Sequence, residues 1–220
     1  MRQSVIALAL SMGIDKVGFA SLKGIEFRGD LERRGIGLDQ AISLVMRLPA
    51  PAISRNGADG YHEAMVRGRE EMDLAANAIA KLLRSYGHHA LPVTSDFKAV
   101  PEIIAGQISH RMVAYRAGLG WIGRSTLLVT PEFGPRVRLI TILTDADLGS
   151  GMPLANACGD CHRCIDNCPM NALKLTRFTG YPDRAAIIDY QKCDRYEQAT
   201  LERQPPSFCA MCVRSCPVGK

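Results

Sequence analysis

The first 157 of the 220 residues contain no cysteine, which excludes a disulfide-stapled scaffold with bridges spread along the chain. Long apolar runs are also missing. The longest candidate, Met1 to Gly13, follows Arg2 and superficially resembles a signal peptide, but it is short and Asp15 and Lys16 come at once. Gly13 reads instead as a helix stop ahead of a strand at Lys16–Ala20. No other stretch is apolar enough to cross a bilayer, so no membrane association and a cytoplasmic location are expected. Aromatic residues make up 6% of the chain, with one tryptophan, Trp121. The interleaving of aromatic and basic side chains found on nucleic-acid surfaces is lacking, and nucleic acid is not an expected partner.

All eight cysteines are crowded between residues 158 and 216. The run Cys158-Gly-Asp-Cys161-His-Arg-Cys164-Ile-Asp-Asn-Cys168-Pro169 has the C-x2-C-x2-C-x3-C-P ligand spacing of two-cluster bacterial ferredoxins. A second run, Cys209-Ala-Met-Cys212-Val-Arg-Ser-Cys216-Pro217, ends in the same way, and Cys193 upstream supplies its missing member. Two-residue gaps let a tight loop turn its thiolates around one cubane. The three-residue gap starts a helical turn that points the fourth thiolate elsewhere. Crossed ligation is therefore expected, with Cys158, Cys161, Cys164 and Cys216 on one [4Fe–4S] cluster and Cys193, Cys209, Cys212 and Cys168 on the other. A structural zinc site also uses Cys-x2-Cys pairs, but it explains poorly two Cys-Pro endings and the use of all eight thiols. His162 lies between ligands whose places are already filled, so tuning by a hydrogen bond is its expected role.

The chain is long enough for one ordinary domain and a smaller one. Residues 1–150 are rich in Ala, Leu, Ile and Val and can bury a core, whereas 151–220 is short and loop-rich and relies on its metal. The formal charge of +5 counts the cysteines as neutral. Two cubanes with four thiolates each, at about −2 apiece, bring the loaded protein near +1, so the apparent basicity says little about partners.

Within the first block, a strand is expected at Ala41–Arg47, stopped by Pro49 and Pro51. A helix follows from about Ala58 to Tyr86, on which Met65, Met72, Ala76, Ile79 and Leu83 recur at three- to four-residue steps and mark a core face. Then come a short strand at His89–Val93 and a helix from about Pro101 to Ala117. Strands at Leu127–Val129 and Val137–Leu143 are expected in central, covered positions of an α+β fold. Between them, Gly118-Leu-Gly120-Trp121-Ile-Gly123 implies close approach of a cofactor or another chain segment. It follows a helix rather than a strand and so is not a dinucleotide fingerprint.

Several strings together resemble the epoxyqueuosine reductase family and its relatives, the corrinoid-dependent reductive dehalogenases. They are Met12-Gly-Ile-Asp-Lys-Val-Gly-Phe-Ala20, Ala114-Tyr-Arg-Ala-Gly-Leu-Gly-Trp-Ile-Gly123, Leu127-Leu-Val-Thr-Pro131 and Ile142-Leu-Thr-Asp145, followed by the first cysteine run. The resemblance implies a nitroreductase-like α/β domain followed by a small bacterial-ferredoxin-like two-cluster domain. It also implies a cobalamin, or less readily FMN, near Gly118, Gly120, Trp121, Gly123 and Arg124, with electrons delivered singly by the clusters. In that family a proton-donating aspartate lies in a Thr-Ala-Pro context about fourteen residues before the Gly-Trp segment. The same count here reaches Ile104, and that acid is expected to be absent. The chain also ends four residues after Cys216, without the helical extension that helps those reductases hold tRNA, so epoxyqueuosine reduction itself is not expected.

Two side chains are candidates for the missing chemistry. His110, on the helix before the Gly-Trp segment, could donate a proton or ligate a metal, against a purely local hydrogen-bonding role. Asp145, at the end of an apolar strand, faces a pocket or caps a turn. Arg111, Arg116 and Arg124 could hold anionic groups of a cofactor. The expected function is that of an iron–sulfur oxidoreductase that takes electrons from a ferredoxin- or flavodoxin-type donor. It would reduce a small molecule or a partner's cofactor. The alternative is an electron-transfer module with no substrate of its own.

Overall fold

The computed structural model describes residues 1–49, 53, 58–94, 106–176, 178–203 and 209–219. The chain packs as two compact units that alternate along the sequence: Met1–Met46, Arg69–Leu119 and Arg138–Pro153 form one, and Arg47–Gly68, Gly120–Val137 and Leu154–Lys220 the other.

The first unit is built on a four-stranded sheet in the order β1 (Lys16–Ser21), β2 (Gln40–Arg47), β6 (Val137–Thr144) and β3 (Ala90–Val93). β1 runs antiparallel to β2, with Lys16 opposite Val45 and Ser21 opposite Gln40. β3 runs antiparallel to β6, with Ala90 opposite Thr144. The two central strands read as near-continuous apolar runs because both of their faces are covered: six consecutive residues of β2 and the last five of β6 are buried. α1 (Arg2–Ser11) packs Val5 and Ala9 into this core, and α3 (Ala58–Ser85) adds Met72, Ala76, Ile79 and Leu83 against Phe19, Ile42, Leu44, Ile140 and Ile142. The expected helical stripe is thus the core face, apart from Met65, which packs in the other unit. Gly13, at φ +82°, ends α1 and lets Ile14 N–H reach the carbonyl of Ala9 at 3.1 Å.

α4 (His110–Arg116) packs on β1. Its start differs from the expected Pro101: residues 101–105 lie outside the described residues, 106–109 are not helical, and Ser109 caps the helix by accepting from Met112 N–H at 3.3 Å. After α4 the expectation of one covered layer fails in part. β6 is central, but Leu128–Val129 (β5) pairs with Trp121–Ile122 (β4) in a separate two-stranded sheet of the second unit. The Gly-Trp segment gave no strand signal because its glycines interrupt the apolar alternation.

Among its described residues the second unit has two small cores. Leu48, Ile53, Tyr61, Ala210 and Val213 form one, with Leu127 and Cys212 against it; Ala172, Leu173 and Ile188 form the other, with Cys164, Cys168, Cys193 and Cys212 packed on them. Besides the start of α3, its described helices are α5 (Arg163–Asp166), α6 (Arg184–Ile187), α7 (Tyr190–Arg203) and α8 (Met211–Ser215), whereas α2 (Leu31–Arg34) belongs to the first unit. α5 and α8 pack together, and each carries the last cysteine of a Cys-x2-Cys pair, Cys164 and Cys212.

Candidate metal centres

A cavity of about 110 Å³ is lined by Cys158, Cys161, Cys164 and Cys216. Three of these are neighbours in sequence and the fourth arrives from more than fifty residues away. Each loop is pinned from the backbone side. Asn156 accepts from Cys158 N–H at 2.9 Å and donates its amide to the carbonyl of Ile122 at 2.9 Å. Arg124 donates to the carbonyl of Gly159 at 2.7 Å. Arg136, 8% exposed, donates to the carbonyls of Val213 at 3.3 Å, Cys216 at 3.1 Å and Val218. Arg136 gathers the end of the chain around its guanidinium. Sequence reasoning missed it, because an arginine in a Pro-Arg-Val turn carries no spacing signal.

The remaining four thiols form the second set. Cys168 accepts from Ala172 N–H at 3.3 Å, and Cys168, Cys193 and Cys212 pack on Ala172, Leu173 and Ile188. Burial pushes the Cys212 thiol up to about 12, with Cys209 and Cys193 adding to the shift. Cys193 is pushed up to about 11 by burial, then by Glu197, Cys209 and Cys168. In the first set, burial and then Cys158, Cys216 and Cys161 push Cys164 up to about 11. Burial also raises Cys216, against the opposing pull of Arg136. Four thiolates crowded in a buried site repel one another, a cost relieved by protonation or, with the thiolates kept, by bound cations. The donor sets therefore fit a cationic iron–sulfur core. Among the described residues no group of three or more His, Cys, Asp or Glu side chains is placed to hold a single metal ion.

The other candidate residues are scattered. Gly118, at φ +74°, lies against the backbone of Met152. A Cβ on Gly120 would strike the carbonyl of Val129, and one on Gly123 would lie 2.7 Å from Val129 Cγ2 and 3.6 Å from Cys158 Sγ. The glycines thus admit other stretches of the chain, the second of the two alternatives read from the sequence. Trp121 is 6% exposed, and its buried indole Nε1 has no hydrogen-bond partner among the described residues. Arg124 stands in the wall of the first thiol cavity. Arg116 donates to the carbonyls of Lys23 at 2.5 Å and Ser21 at 3.5 Å.

His110 belongs to the first unit. Its Nδ1 lies 2.8 Å from Thr141 Oγ1 and its Nε2 3.4 Å from the carbonyl of Thr94. A carbonyl can only accept, so Nε2 carries the proton and Nδ1 accepts from the threonine. Burial lowers the pKa of the ring to about 4. Asp145 accepts from His88 Nδ1 at 3.1 Å and from His89 N–H at 3.0 Å. Slight desolvation raises its pKa, but these two bonds outweigh it and hold the carboxyl below its usual range. Thr141, the partner of His110, is four residues from Asp145, about 13 Å along a strand. The histidine and the aspartate do not form a pair.

Residues 157–219 match the model of the 4Fe-4S double cluster binding domain. The epoxyqueuosine reductase of Bacillus anthracis is 27% identical over 259 aligned positions, which cover all of this chain and 65% of that protein. The chain thus spans about 65% of the length of such relatives. Two solved structures share the fold at 20% identity. One is a reductive dehalogenase described in terms of B12-dependent dehalogenation, with a TM-score of 0.80 over 99% of this chain and 32% of that one. The other is an epoxyqueuosine reductase with an epoxyqueuosine-modified tRNA-Tyr stem loop, with a TM-score of 0.64 over 99% of this chain and 65% of that one. That relative was solved with a tRNA stem loop bound to it. The resemblance carried by the residue strings therefore holds: the chain is similar along its whole length to the epoxyqueuosine reductases, and its C-terminal part has the sequence of a double 4Fe–4S cluster-binding domain.

Proposed function

We propose that this chain is an iron–sulfur reductase that holds two [4Fe–4S] clusters by crossed ligation and feeds an organic redox group, a corrinoid before FMN. The reading is supported above all by the convergence of Cys216 on Cys158, Cys161 and Cys164 around one cavity. When bound, the clusters supply one-electron transfer. Arg136 holds the Cys216 loop, Asn156 and Arg124 hold the Cys158 loop, and Ala172, Leu173 and Ile188 shield the second thiol set from water. Residues 1–150 are the nitroreductase-like part in this reading and 151–220 the ferredoxin-like part. A ferredoxin- or flavodoxin-type protein is the donor, and a small molecule or a partner's cofactor the acceptor.

The corrinoid is suggested by the fold shared with a B12-dependent dehalogenase. A tRNA-borne epoxyqueuosine belongs among the substrates to assay, given the relatives. The proton source is open to direct test. His110 would act as a neutral imidazole, since its pKa is near 4. The reading that the family's aspartate is missing rests on the count to Ile104; Asp96 and Glu102 are the nearby acids in sequence and lie outside the described residues. Asp96→Asn and Glu102→Gln separate them.

A second reading, an electron-transfer module without a substrate, is favoured by the buried Trp121 and by glycines that contact protein. Anaerobic purification with iron and sulfide analysis, and mass spectrometry of extracted small molecules, decides between them. About eight irons with a corrinoid or flavin supports the reductase, and about eight irons alone supports the module. An iron-free protein sinks both.

A further inference from the structure

Arg124, Arg136 and Arg214 stand near the cysteine loops of the second unit, and their donors are used differently. Arg124 directs Nη2 to the carbonyl of Gly159, and Arg136 directs both Nη atoms to the carbonyls of Val213, Cys216 and Val218. Both shape backbone. Arg214 does not: its Nε and Nη2 are buried and have no hydrogen-bond partner among the described residues. Two buried donors without an acceptor are costly to hold and call for one.

The location of Arg214 indicates which acceptor. It lies on α8 between Cys212 and Cys216, one helical turn beyond Ala210, whose carbonyl accepts from Arg214 N–H at 2.9 Å. Ala210 directly follows Cys209. Arg214 is thus two residues from Cys212 and one helical turn from the backbone beside Cys209, both members of the thiol set whose loaded form would present sulfur acceptors.

Resting on the ligation read above, we propose that Arg214 tunes the cluster of Cys168, Cys193, Cys209 and Cys212, donating from Nε and Nη2 to its sulfur atoms and raising its reduction potential. Hydrogen bonds to sulfur and nearby positive charge both stabilise the reduced cluster, which is more negative by one electron. The step involves one electron from an external reductant, and no bond or proton changes place. Arg124 and Arg136 hold carbonyls of the loops that carry the other thiol set. Arg214 is a positioning residue, acting through the cluster and not on a substrate.

The test uses the full chain, reconstituted anaerobically, as wild type, Arg214→Met and Arg214→Lys. Each is titrated with dithionite and followed by electron paramagnetic resonance, with 15N-arginine labelling of wild type and Arg214→Lys. Iron and sulfide content comes first, and a wild type with far fewer than about eight irons overturns both the ligation and the tuning. With both clusters present, Arg214→Met is expected to lower the reduced-to-oxidised ratio of one cluster at fixed potential about tenfold, equal to about 59 mV for one electron. The other cluster stays unmoved. Arg214→Lys, which keeps the charge but lacks both donors, falls between, and the 15N coupling to the reduced cluster disappears in it. Unchanged potentials, or no 15N coupling in wild type, overturn the tuning and leave the ligation standing. Loss of the cluster from both variants assigns Arg214 to holding its loop and equally overturns the tuning.

Discussion

Arg136 shows how much one side chain can carry in a unit with small cores. Its guanidinium accounts for three carbonyls around Cys216, and truncation leaves them without donors in a buried place, at a cost of about 1–3 kcal/mol for each one that water cannot reach. Arg136→Ala is expected to retain about half of the iron, because the loop that delivers Cys216 is released while the second thiol set keeps its members. Iron analysis of the purified variant checks this, and full iron content would refute it. His110 makes a prediction of another kind. Its folded pKa of about 4 lies below the ordinary value of 6.5, so between these pH values the unfolded chain binds the extra proton. Stability contributed by the neutral ring is complete above about pH 6.5 and is lost as pH falls toward 4. His110→Gln should therefore show a shallower loss of stability across that window in urea titrations. Acid lability of the clusters is common to both proteins and cancels in the comparison, and identical slopes would refute the assignment of a buried neutral ring.

The β4–β5 hairpin is the element whose sequence and structure diverge most. Trp121–Ile122 pairs with Leu128–Val129 because Gly120 lets the carbonyl of Val129 come closer than any Cβ would allow. Gly120→Ala must push the strands apart, with a cost of about 1–3 kcal/mol. Because Gly123 and Val129 line the first thiol cavity, the same substitution should also slow iron incorporation into that site. Thermal melting together with the rate of cluster reconstitution measures the two effects, and a variant that is normal in both would show that the hairpin has room to spare. α4 offers a milder test. Ser109→Ala removes the cap that accepts from Met112 N–H and is expected to cost about 1 kcal/mol, read from urea denaturation.

For the molecule as a whole, metal and folding are coupled unequally. The first unit has a continuous apolar core from Val5 to Leu148 that owes nothing to cysteine. In the second unit, cysteines are part of both cores. Cys193→Ala is accordingly expected to lose one cluster and to raise hydrogen exchange across residues 154–219, while amides of β1, β2, β3 and β6 keep their protection. Mass spectrometry of exchanged peptides checks this. A variant that keeps about eight irons, or that loosens the sheet first, would overturn the crossed assignment or the independence of the first core.

Local spacing determined a good deal of this protein. A helical stripe from Met72 to Leu83, apolar runs for β2 and β6, and Gly13 as a helix stop are short-range patterns, set by 3.6- and 2-residue periods and by one residue's φ. The cysteine runs belong here too, because a cubane imposes its loop length on the chain, and the family resemblance travels with them. Tertiary structure alone decided the rest. It brought Cys216 to Cys158, wrapped Arg136 in carbonyls from residues 213–218, left Nε and Nη2 of Arg214 without partners among the described residues, and tied Asp145 to His88 and His89. None of these has a sequence period, since each joins residues distant in sequence or depends on burial, and burial is a property of the packed chain.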